Sequence, residues 1–145
     1  MFLFLTGLLA PTSGDASVVG IDHNWRPTAR WNVRTRLIGS ETEDSGASTT
    51  GDGATIWADY EMDHGWRQQW IGMHFSNDRE TNDAGYLERN STNYAHWQVN
   101  RRFTQLPTES RYASKDWRWR ASTSYNDAGQ LMSHQFRISR ESRLR

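Results

Sequence analysis

The segment Trp117-Arg118-Trp119-Arg120-Ala121-Ser122-Thr123-Ser124-Tyr125 alternates large apolar and polar side chains almost one for one. Only an extended chain gives that period a physical meaning, because successive side chains of a strand leave opposite faces of a sheet, whereas a helix returns to one face about every 3.6 residues. Such a strand has an apolar face (Trp117, Trp119, Ala121, Thr123, Tyr125) and a wet one (Arg118, Arg120, Ser122, Ser124).

The same period recurs along the chain. Val19, Ile21, His23 and Trp25 oppose Gly20, Asp22, Asn24 and Arg26. After a Pro27-Thr28-Ala29 turn, Trp31, Val33, Thr35 and Leu37 oppose Asn32, Arg34, Arg36 and Ile38, which predicts an antiparallel hairpin. Ile56, Ala58, Tyr60 and Met62 oppose Thr55, Trp57, Asp59 and Glu61, and Asp63-His64-Gly65 makes a tight turn into a strand with Ile71, Met73 and Phe75 on one face. Ala95, Trp97 and Val99 share an apolar side that Arg101 interrupts, and Met132, His134, Phe136 and Ile138 line a last strand after the Asn126–Gly129 turn. Gly39 to Gly53 and Ser76 to Thr92 are polar stretches that read as solvated loops. The apolar opening, Met1 to Ala10, is about half the length a membrane-spanning helix needs. It lacks the positively charged start of a secretory signal, and a strand is the better reading.

These segments predict an all-β fold, an antiparallel up-and-down meander of seven or eight strands about ten residues long, forming a partial or small transmembrane β-barrel over residues 1–145. Composition agrees. Eight Trp, five Tyr and five Phe are too many aromatics for a disordered chain. Yet only 35% of residues are hydrophobic and mean hydropathy is −0.89, which excludes a helical membrane protein. A barrel wall reconciles the two, since a polar lumen face lowers the mean while the other face stays apolar. Strands of soluble sandwiches are shorter, about 5–6 residues, than the roughly 9–11 that cross a bilayer.

Two groups of candidate residues follow. Asp22, Arg34, Arg36, Asp59, Glu61, Arg118 and Arg120 form a lumen-facing charge ladder in which opposite charges on neighbouring strands pair. Trp25, Trp31, Trp66, Trp117, Trp119 and Tyr125 are interface aromatics, positioned where an amphipathic ring sits at headgroup level. Lys115 is the single lysine, and arginine suits the ladder because its planar fork bridges carboxylates and keeps its charge.

Chemistry leaves little trace. Zero cysteine removes disulfides, thiolate zinc sites and cysteine nucleophiles. The five histidines are scattered, and the Asp78, Glu80, Asp83 run places Gly85 two residues too late for an EF-hand. Asp59 and Glu61 have the spacing of a glycosidase pair, but arginines nearby keep both ionised, which is wrong for a general acid. No catalysis and no cofactor are expected. Nucleic acid is excluded as a partner, because period 2 sends the tryptophans and arginines of 117–120 to opposite faces and the formal net charge is zero. The expected partners are outer-membrane lipid and small solutes or glycans. The alternative is a soluble extracellular β-sheet module that binds carbohydrate through exposed tryptophans.

Val19-Gly20-Ile21-Asp22, the Arg30-Trp31-Asn32-Val33 strand and Ala84-Gly85-Tyr86-Leu87-Glu88-Arg89-Asn90 resemble the C-terminal barrel region of a bacterial outer-membrane family of unknown function. In that family a carbohydrate-binding-like N-terminal module precedes a porin-like barrel. Gly85, Tyr86, Leu87 and Arg89 carry the most specific part of the likeness, which extends from about Leu8 onward. The resemblance implies an outer-membrane location and a passive pore or surface scaffold. It also implies that this chain is a fragment of a larger barrel, with the N-terminal module outside it.

Overall fold

Alternation along one strand fixes which residues share its faces, and register between strands fixes how those faces line up. The computed structural model describes residues 2–11, 15–44, 47–76 and 91–145. Its strands are β1 (Phe2–Pro11), β2 (Asp15–Trp25), β3 (Trp31–Asp44), β4 (Ala47–Glu61), β5 (Trp66–Phe75), β6 (Thr92–Phe103), β7 (Tyr112–Tyr125) and β8 (Leu131–Leu144). They form one eight-stranded sheet in chain order, every neighbouring pair antiparallel. Among the described residues β1 pairs only with β2 and β8 only with β7, so hydrogen bonds do not close the sheet into a barrel.

The Asp63–Gly65 connection is a single 3-10 turn in which both His64 (φ 61°) and Gly65 (φ 76°) are left-handed. Glycine is required at 65 for a second reason. A Cβ there would collide with the carbonyl oxygen of Arg102. The β7–β8 turn closes with Gly129 N–H donating to the Asn126 carbonyl at 2.9 Å, while Asn126 Oδ1 accepts from Gln130 N–H at 2.8 Å.

The structure corrects the reading of Gly39 to Gly53. Instead of a solvated loop, β3 and β4 continue pairing from Gly39↔Asp52 out to Asp44↔Ala47. Ladder hydrogen bonds join backbone to backbone, so serine, threonine and glycine extend a hairpin without any large apolar side chain. Ser40 Oγ donates to the Gly51 carbonyl at 3.4 Å within this extension. Most of the second expected loop, with its motif Gly85, Tyr86, Leu87 and Arg89 and the acidic run from Asp78, lies outside the described residues.

Two rows taken across the sheet define its faces. Trp25, Val33, Ala58, Trp70, Trp97, Ala121 and Phe136 are register partners in succession from β2 to β8, and every one is apolar. One residue further along each strand, Asn32, Asp59, Gln69, Gln98, Arg120 and Arg137 form a row from β3 to β8, and every one is polar. Ile71, Met73 and Phe75 share a face, as the alternation predicts, but it is the polar face, where Ile71 lies between Trp57 and His96.

Burial is inverted relative to a soluble domain. Among residues 17–43, 47–76 and 91–145 no hydrophobic residue is buried, while Ser40, Asp59 and His96 are, all three on the polar face. Val19, Ile21, Leu37, Ile56, Phe136 and Ile138, on the opposite face, are 42–65% exposed. Single solvent-facing apolar residues are ordinary, but a row of them across a sheet is a candidate contact surface.

Candidate functional site: a two-faced sheet

The polar face begins with paired charges. Arg36 donates from Nε and Nη2 to the two carboxylate oxygens of Asp22 at 2.6 and 3.0 Å, a fork-to-carboxylate pair between register partners on β2 and β3. Asp59 is nearly enclosed, its side chain 10% exposed. Its Oδ1 accepts from Arg67 Nη2 at 2.9 Å and Gln69 Nε2 at 3.0 Å, and Arg34 Nη2 stands 3.9 Å from Oδ2. These bonds from two β5 side chains replace the water the carboxylate loses, which is the condition for holding an ion at a buried position. Arg34 also lies over its register partner Trp57, 4.5 Å from the ring centroid.

Further along the sheet the pairing stops. Arg120 donates from Nε and Nη2 to Gln98 Oε1 at 3.1 and 3.0 Å, a neutral acceptor in place of a carboxylate. Arg118 and Arg137 have no carboxylate partner among the described residues. Glu61 is exposed opposite Arg67 and forms no ion pair among the described residues.

On the apolar face the aromatics gather toward the end of the sheet that holds the Arg26–Arg30 and Asp63–Gly65 turns. Trp31 stacks on Tyr60 at 4.5 Å and on Trp70 at 5.8 Å between centroids. Trp66 stacks on Trp119 at 6.0 Å and Trp119 on Trp117 at 6.1 Å. Trp66, Arg101, Trp117 and Arg140 are consecutive register partners on β5 to β8. Arg101 lies 4.8 Å from the Trp66 centroid and Arg140 5.7 Å from that of Trp117. Beyond this belt, Arg30 forks onto Asp63 at 2.8 and 3.1 Å and ties the two turns together. Those hydrogen bonds, donated to the Asp63 carboxylate, raise the pKa of the Arg30 guanidinium above its ordinary value.

The structure therefore brings Asp22, Arg34, Arg36, Asp59, Glu61, Arg118 and Arg120 to one face and Trp25, Trp31, Trp66, Trp117, Trp119 and Tyr125 to the other. Sequence reasoning missed Arg67, Gln69 and Gln98, which hold the ladder's charges, and Arg137, which extends it. On β5 the alternation is weak, and for all four only cross-strand register shows which ladder residues they meet. It also treated Arg101 as a break in an apolar face rather than as a partner of the Trp66 and Phe103 rings. No group of three or more His, Asp or Glu among the described residues is arranged to hold a metal ion. Comparison of the chain with protein-family models, with curated proteins and with solved structures finds no match.

Proposed function

We propose that this chain is a segment of an outer-membrane β-barrel wall that works as a passive pore or surface scaffold, with lipid against the apolar face and water against the polar one. The observation that carries the reading is the inverted burial among the described residues: the enclosed side chains are Ser40, Asp59 and His96, while Trp25, Trp97 and Phe136 of the apolar row are exposed. A bilayer covers such a row without any hydrophobic core. The belt of Trp31, Tyr60, Trp66, Trp117 and Trp119 near one end, threaded by Arg101 and Arg140, has the composition of a headgroup interface, where indoles and long cationic side chains reach water together.

The native protein should resist carbonate extraction from membranes and change its gel mobility on heating. Release by carbonate, or unchanged mobility, overturns the reading. A second reading, glycan binding by a soluble module, draws support from the stacked Trp66, Trp119 and Trp117 rings, which offer a flat platform. It requires polysaccharide binding that is lost on Trp117→Ala or Trp119→Ala.

A further inference from the structure

The polar face is electrically divided. On β2 to β5 each of Asp22 and Asp59 is ion-paired, with Arg36, Arg34 and Arg67 as partners. On β7 and β8 the arrangement changes, because Arg120 and Arg137 are direct register partners and Arg118 stands two residues from Arg120 on the same face, opposite Ser139. Like charges directly opposite each other on a sheet repel. No carboxylate among the described residues forms an ion pair with any of the three. Asp116 and Glu141 share the face but face one another, two positions away from Arg118 and Ser139.

Geometry adds a cleft and an orientation. Arg118, Arg120, Arg137 and Ser139 line a concavity of about 290 Å³. Gln98 Oε1 accepts from Nε and Nη2 of Arg120 at 3.1 and 3.0 Å, which fixes the plane of that guanidinium and leaves Nη1 free of this contact. Planar guanidinium forks match the oxygen spacing of phosphate, and a dianion between Arg120 and Arg137 turns their mutual repulsion into two attractions.

We infer that Arg118, Arg120, Arg137 and Ser139 form an oxyanion-binding site on the polar face, taking inorganic phosphate or a small phosphorylated solute. This inference deepens the pore reading by naming the class of solute its wall attracts, and it rests on that reading for its transport role.

The test is a calorimetric titration of inorganic phosphate into the full chain folded in nonionic detergent at low ionic strength, with circular dichroism to verify the sheet. Saturable binding, displaced by sulfate, is expected. Arg120→Gln and Arg137→Gln should each weaken it at least about tenfold, the loss of one charge-assisted contact. Arg137→Lys, which keeps the charge but loses the fork, should fall between. Arg30→Gln, which removes an arginine from a turn outside the cleft, should leave binding unchanged. Absence of saturable phosphate binding by the folded chain overturns the site, as does equal weakening by Arg30→Gln. Phosphate binding by a protein that carbonate releases keeps the site and removes the pore. Membrane integration without phosphate binding does the reverse.

Discussion

Arg101 faces Trp66 across the β5–β6 ladder, its guanidinium carbon 4.8 Å from the indole centroid and 4.6 Å from the centroid of Phe103. A cation on a largely apolar face is costly when isolated, and here two aromatic rings take the place of a counter-ion. A double-mutant cycle combining Arg101→Leu with Trp66→Leu should give a coupling of about 0.5–1 kcal/mol in urea unfolding. Additive single effects would show that the ring and the guanidinium are neighbours without interaction.

Asp59 and Asp22 both meet arginine, but in different surroundings. Asp59→Ala strands Arg67 and Gln69 beside a nearly enclosed site and should destabilise by about 1–3 kcal/mol. Asp22→Ala removes a pair whose side chains are 39% and 59% exposed, so its cost should stay below about 1 kcal/mol. Chemical denaturation of the two variants side by side checks the order, and a larger loss from Asp22→Ala contradicts it.

Gly65→Ala places a methyl group against the Arg102 carbonyl at a left-handed backbone position. Destabilisation of about 1–3 kcal/mol is expected. His64→Gly, at φ 61° in the same turn, relieves strain instead and should change stability by less than about 1 kcal/mol. Equal effects at the two positions would mean that the turn rearranges around either side chain.

Phe136 ends the apolar row and is 65% exposed. If lipid covers that face, Phe136→Arg should cost up to about 2–4 kcal/mol in phospholipid vesicles, depending on depth. A water-facing position tolerates the same change within about 0.5 kcal/mol. Unfolding of the vesicle-refolded variant decides between the two.

The strand character of 117–125 and the face assignment of its residues were legible because tryptophan and arginine differ so strongly that each position declares its side. β5 was harder, since Trp66 and Trp70 on one face compete with Ile71, Met73 and Phe75 on the other, and one strand's pattern does not say which apolar set meets water. The outer half of the β3–β4 hairpin was illegible for a different reason: it is held by backbone pairing among small polar residues, which composition alone assigns to loops. The ladder's charged residues could be named from sequence, but their partners could not. Asp59 depends on Arg67 and Gln69 from a strand beyond a turn, and only register makes them neighbours.

The strict succession of strands also carries a kinetic consequence. Each of β2 to β8 pairs with the strand just before it, across connections that are mostly a few residues long, so none of these pairings among the described residues joins distant parts of the chain. Sheets built from remote strands must close large loops before any contact rewards them, and they form slowly. Here the growing edge is always the template for the next strand, and the sheet can zip up in the order in which the polypeptide is delivered.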